Sequence, residues 1–275
     1  FISVFLYSMS TFALSPLLPA IAADFRLPFH LQALPFSAKF AGAMVASFVA
    51  GYVSEYIGKS RVLRTAFIGL AASGLALLVA PAFVLVLLGA FGAGAFGASL
   101  QLMAASLMSD LHPDARGYYV NLVQSFFGLG AVTGSFLAGA VLSGIGSWRA
   151  FFLLVAATPP VVVMAFRKTE YCETRSHAPS ARSLLGMVGQ SSFHVPVISL
   201  MLYIGSEVGL VSWMCIYLAN RFSLDPLYTG AVASAFWLGI ALGRLGTAYL
   251  SRHLPLHSLV VANLLLGSVC VTTGI

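Results

Sequence analysis

Eight stretches of this chain are apolar over about the length of a bilayer crossing, and any fold has to accommodate them. They run from Phe1 to Ala23, Leu34 to Val53, Leu63 to Ala80, Ala82 to Met108, Tyr118 to Ser143, Ala150 to Phe166, Phe193 to Ala219 and Tyr228 to Leu250. A ninth begins near Ser258 and continues to Ile275. A hydrocarbon core roughly 30 Å thick is crossed by about 20 residues of α-helix. In lipid every backbone N–H and C=O must be bonded within the protein, so an unbroken apolar run of that length is a helix. A membrane β-barrel would show alternating segments of about 10 residues, which these runs do not. Composition agrees: only 8% of residues are charged and 59% are hydrophobic, against about 25% charged in a soluble domain. With a mean hydropathy of +0.95, the 275 residues lack the polar surface to coat a soluble particle. The expected fold class is all-α, a polytopic membrane protein.

Basic residues in the loops set the expected orientation. One side receives Lys59, Arg61, Arg64, Arg116, Arg167, Lys168, Arg175, Arg182 and Arg252; the other receives only Arg26, Arg149 and Arg221. The first side is therefore expected in the cytoplasm, in a bacterial inner membrane, with the N-terminal side and the central loop there too. That bias accounts for the pI of about 9.4. The basic residues are scattered and lack an aromatic platform, so no nucleic-acid partner is expected. The longest connection, residues 167–192, is polar and follows the sixth span. It divides the chain into a six-helix half (1–166) and a partial second half (193–275), as in proteins built from two six-helix repeats. Both ends fall inside apolar stretches, so the chain is expected to be a fragment of a longer protein.

Between spans two and three stands Gly51-Tyr52-Val53-Ser54-Glu55-Tyr56-Ile57-Gly58-Lys59-Ser60-Arg61. A Gly, an acid four residues on, a second Gly three later and then basic residues resemble the signature loop of the major facilitator superfamily, where an Asp normally stands in place of Glu55. Gly51 allows close helix approach and Gly58 a tight turn. Glu55 is suited to pair with a basic group or face a helix N-terminus. The Pro-containing Leu14-Ser15-Pro16-Leu17-Leu18-Pro19 resembles that family's first helix, and Ser147-Trp148-Arg149-Ala150-Phe151-Phe152 the entry to its sixth. Gly243-Arg244-Leu245 through Ser251-Arg252 is a weaker echo of the signature loop. The resemblance implies a secondary transporter working by alternating access, with helices one to eight and most of nine present and Gly51, Glu55, Gly58, Lys59 and Arg61 forming a gate.

Leu122 to Ala131, following Arg116 and Asn121, and Tyr203-Ile204-Gly205-Ser206-Glu207-Val208 with Trp213 and Tyr217, resemble helices five and seven of the fucose:proton symporter branch. That resemblance implies uptake of a sugar or similar small polar solute, possibly with a proton. The branch's usual acidic proton sites are absent: Gly97 and Gln101 stand where its fourth helix carries an acid and an Asn, and no acid lies between Phe1 and Ala23.

Ionisable groups inside spans are costly and face a cavity or a partner. Glu207 is the only acid inside an apolar run; it either titrates or binds substrate, or is a structural carboxylate bonded to a neighbouring helix. Arg244 is expected to pair structurally, and Lys39, about one turn into span two, to snorkel outward. Gln101, Asn121 and Gln124 are candidates for hydrogen-bonding a solute's hydroxyls, and Tyr203 and Trp213 for stacking on it, although helix packing is the favoured role for each aromatic.

The run Gly89, Gly92, Gly94, Gly97 lies within a long apolar span with no strand before it, so it is a helix-packing seam rather than a nucleotide loop. Cys172, Cys215 and Cys270 have no paired spacing, and the histidines have no metal-ligand arrangement. No cofactor or metal is expected. The spans hold no nucleophile–base set, so the chain is not expected to be an enzyme. The expected partners are a small-molecule solute and the lipid bilayer, the expected state is a monomer, and the alternative function is drug or metabolite efflux. Against that alternative, antiporters of the superfamily carry a Gly-Pro pair where this chain has Gly134-Ser135.

Overall fold

The computed structural model describes residues 1–165 and 191–250, with isolated positions 258, 261, 265 and 267; side chains at 117, 118, 121, 191–193, 196, 200 and 244–250 are outside that description. Residues 166–190, which include most of the central loop, the ninth span apart from those four positions, and the side chains of Asn121 and Arg244 therefore lie outside the described residues.

The helices are α1 (Ile2–Phe12), α2 (Leu14–Asp24), α3 (Leu34–Ile57), α4 (Lys59–Leu78), α5 (Phe83–Leu111), α6 (Arg116–Ile145), α7 (Arg149–Ala165), α8 (Ser191–Phe222) and α9 (Pro226–Leu250), with short 3₁₀ turns at Phe29–Leu31 and Pro113–Ala115. No strand occurs among the described residues. With α1 and α2 taken as one span, seven helices are long and apolar enough to cross a membrane, and α7 is a shorter apolar helix. All eight expected spans within the described residues are present.

Span one is the centre of the bundle. Its apolar window is 83% buried, against 18–50% for the others, because neighbours surround it while the rest turn a side outward. It is also the span that breaks. Pro16 has no N–H to give the Phe12 carbonyl, and its ring disfavours a helix continuing through that position. The chain restarts as α2 at Leu14, so Pro16 falls in a first helical turn, where N–H groups have no intrahelical partner anyway. The Phe12 carbonyl takes a hydrogen bond from Ser135 Oγ of α6 at 3.2 Å instead.

Small residues let the helices around this centre approach closely. A Cβ at Gly94 of α5 would collide with the Lys39 carbonyl of α3, and one at Gly42 with the Phe91 carbonyl. The glycine run of span four is thus a packing seam, as its composition implies. Gly139 of α6 and Gly230 of α9 meet in the same way.

The turn between α3 and α4 is a single residue. Gly58 has φ 91° and ψ 148°, a conformation essentially confined to glycine. α4 begins at Lys59, earlier than the apolar run at Leu63, because the helix extends past the lipid-matched stretch into the basic loop.

Candidate functional site

Two polar clamps hold the first six spans, one at each end. At the Gly58 end, Lys59 Nζ at the start of α4 meets Asp110 Oδ2 near the end of α5 at 2.5 Å, with both side chains mostly buried. Glu55 makes no ion pair or side-chain hydrogen bond among the described residues, and Arg61 is exposed. The acid that answers the signature loop's first basic residue is therefore Asp110, which hydropathy alone did not single out. Gly51 faces α5, its Cβ position 3.9 Å from Leu102.

At the opposite end, Asp24 Oδ2 accepts hydrogen bonds from Arg149 Nη1 at 2.6 Å and Trp148 Nε1 at 3.1 Å. Arg149 Nη2 also donates to the Ala80 carbonyl at 2.9 Å, and its guanidinium lies 4.3 Å from the Trp148 ring. One arginine thus ties the ends of spans one, three and six. The Trp148-Arg149 pair was recognisable as a motif, but its partner Asp24 was not.

Between the clamps, the helices of the second half dock on spans one and five. The Phe12 and Trp237 rings lie 3.8 Å apart, centroid to centroid, and Ser234 Oγ of α9 donates to the Val132 carbonyl of α6 at 2.9 Å. Phe29, before α3, packs on Trp213 of α8 with centroids 4.8 Å apart. A cavity of about 460 Å³ opens between α2, α3 and α8, lined among others by Leu18, Phe36, Phe40, Val208, Ser212 and Trp213.

The candidate residues are spread over α5, α6 and α8. Tyr203 and Glu207 stand one turn apart on α8, and the tyrosine hydroxyl donates to Glu207 Oε1 at 3.3 Å. Glu207 is half-buried and Tyr203 is 49% exposed. Of the candidates, Trp213, 40% exposed, lines the cavity just described; Glu207 and Tyr203 do not. Gln101 is half-buried on α5, one turn after Gly97, whose Cβ position the Tyr7 ring occupies. Gln124 is half-buried on α6, one turn before Gly128, which faces Ala241 of α9. Neither glutamine has a side-chain hydrogen bond among the described residues.

One expectation is corrected. Lys39 does not snorkel: it is 3% exposed, and its Nζ donates to the Ser10 carbonyl of α1 at 2.9 Å. Lys39 lies on the buried stripe of α3 with Phe36, Gly42, Ala46 and Ala50, so its stem runs toward span one rather than along lipid. A lysine standing alone in an apolar run was the available signal, but distance from the span end does not say which face carries it.

The sequence of residues 1–274 matches the model of the Major Facilitator Superfamily. The chain belongs to this superfamily. It is an integral membrane protein, and members of the superfamily are transporters rather than enzymes. It is 20% identical over 238 residues to the Protein TsgA homolog of Buchnera aphidicola, covering 85% of this chain and 61% of that protein. It is 25% identical over 277 residues to the uncharacterized MFS-type transporter YceJ of Bacillus subtilis, covering 96% and 68%. It is 32% identical over 162 residues to the Synaptic vesicle 2-related protein of Rattus norvegicus, covering 58% and 28%. The chain spans about three fifths of the first of these relatives.

Proposed function

We propose that the protein is a secondary transporter that takes up a sugar or similar small polar solute, coupled to an ion, by alternating access between a six-helix half (1–166) and a second half beginning near residue 193. The observation that carries this reading is the contact between halves. A broken and largely buried span one meets α9 through the Phe12–Trp237 ring contact, and span five meets α9 through the Ser234–Val132 hydrogen bond, contacts that a rocking motion can open and remake. Gly58, the Lys59–Asp110 pair and the neighbouring Glu55 and Arg61 stand at one end as the gate. The basic bias of the loops supports placing that end in the cytoplasm.

Glu207 is the proposed ion-coupling group. It is the acid within span seven, half-buried on α8, and Tyr203 hydrogen-bonds it. Uptake under an imposed pH gradient, compared between the parent and Glu207→Gln, tests this. The variant is expected to lose gradient-driven accumulation while keeping exchange of solute. Accumulation at the parent rate would remove Glu207 from coupling.

A second reading, efflux of amphipathic compounds, draws on the apolar walls of the 460 Å³ cavity. Expression in a drug-sensitive host separates the two, since efflux raises resistance and solute uptake does not.

A further inference from the structure

We infer that the break in span one is the recognition site for a carboxylate on the transported solute, with Lys39 as its counter-charge and Ser15 and Trp237 as its hydrogen-bond donors. The inference rests on the transporter reading above and names the class of solute.

Three observations meet at the break. The first is Lys39 itself. An ammonium in the interior of a membrane protein is costly unless an anion faces it, and among the described residues its hydrogen-bond partner is one neutral carbonyl, that of Ser10. Two of its three donors remain for another group. The acids of the surrounding helices are engaged or distant. Asp24 is held by Arg149 and Asp110 by Lys59. Glu55 lies on the same helix, sixteen residues on, a rise of about 24 Å. Tyr7 of α1 packs against Gly97 of α5. Glu207 of α8 is the acid within span seven; Tyr203 hydrogen-bonds it, and it does not line the cavity between the halves.

The second observation is a pair of buried polar groups with no hydrogen-bond partner among the described residues: Ser15 Oγ in the first turn of α2, and Trp237 Nε1 of α9. A buried donor left unbonded is destabilising, and a native structure keeps such a group where something else meets it. Both stand at the break, since the Trp237 ring lies against Phe12 and Ser15 follows Phe12 by three residues. The indole can only donate, and the ammonium can only donate. A group that met the indole and the ammonium together would be rich in acceptors, and the ammonium favours one that is negatively charged.

The third observation is a cavity walled by sequence neighbours of Ser15 and Lys39, with Lys39, Ser15 and Trp237 themselves set behind its lining. Leu18, one turn beyond Ser15, and Phe36 and Phe40, flanking Lys39, line the 460 Å³ cavity between the halves. It is walled by aromatic and aliphatic groups, a fit for the carbon skeleton of a small carboxylate. In the present conformation Lys39 rests on the Ser10 carbonyl; with solute bound it turns to the carboxylate.

The test uses protein expressed from its complete gene, purified and reconstituted, with matched pairs that differ at one group: gluconate and sorbitol, lactate and 1,2-propanediol, benzoate and benzyl alcohol. Thermal stabilisation and counterflow are measured for each. The expected result is that a carboxylate is bound and exchanged while its neutral counterpart is not. Lys39→Gln should weaken that binding ten- to hundredfold, as loss of a charge-assisted bond implies, and Lys39→Arg should largely keep it. Without solute, Lys39→Gln should melt at or above the parent temperature, because it removes a buried charge. Trp237→Phe keeps the ring on Phe12 and should still lose about fivefold, as the loss of a single neutral hydrogen bond implies; it carries the comparison if Lys39→Gln does not fold. Equal binding of carboxylate and neutral partner, or an unchanged affinity in Lys39→Gln or in Trp237→Phe, overturns the inference. If no carboxylate is bound but a neutral solute is transported, the inference fails and the transporter reading stands. If no solute of any class moves, both fall.

Discussion

Replacing Gly58 by alanine should destabilise the protein by about 1–3 kcal/mol, because a residue with a Cβ resists the backbone that joins α3 to α4. At φ 91° and ψ 148° the residue is far from the left-handed helical well, near ψ +47°, that Asn tolerates. Gly58→Asn should therefore fail to rescue the turn, which distinguishes this strain from an ordinary left-handed cap. The loss corresponds to about a five- to 150-fold shift in the folding equilibrium at 1.4 kcal/mol per factor of ten. The assay is equilibrium unfolding in mixed micelles, with Gly239→Ala as control. That glycine lies within α9 with nothing inside 4 Å of its Cβ position, so alanine there should be neutral or stabilising by up to about 1 kcal/mol. If Gly58→Ala unfolds with the parent while the control behaves as stated, the one-residue turn is not what glycine is needed for.

Three further outcomes follow from the packing. Asp110→Asn removes the carboxylate that meets the mostly buried Lys59 and should cost about 1–3 kcal/mol; the exchanged pair Lys59→Asp with Asp110→Lys should recover part of it in a double-mutant cycle. Gly94→Val drives a side chain into the Lys39 carbonyl and should cost about 1–3 kcal/mol as α3 and α5 are forced apart, seen as a lower melting temperature. Ser135→Ala removes the donor from the Phe12 carbonyl and should cost about 1 kcal/mol, with faster hydrogen exchange around the break at Ala13.

What was legible beforehand is what lipid imposes on a chain. Each of the eight runs had to be a helix, and each within the described residues is one, because no other structure satisfies its backbone in hydrocarbon. Gly58 was legible for a similar reason, since a basic turn between two long spans has few solutions. Facing was not. Hydropathy measures how deep a residue sits, not which neighbour it meets, so Lys39 one turn from a span end read as a surface lysine until α3 turned it toward span one. The partnership of Lys59 with Asp110 joins residues 51 positions apart, and that of Asp24 with Arg149 joins residues 125 apart. No spacing rule within one helix reaches them. Pro16 announced a disturbance, but only the packed bundle reveals that Ser135, where antiporters of the superfamily carry proline, closes the carbonyl it leaves open.

The central claim is that two halves rock about span one. It is tested most directly by the distance between spin labels placed at Ala82, in the first half's loop between α4 and α5, and at Leu224, between α8 and α9, in protein expressed from its complete gene and stripped of its native cysteines. The account predicts two distance populations whose ratio shifts when solute or pH changes. A single narrow distribution that no solute and no pH alters would contradict it.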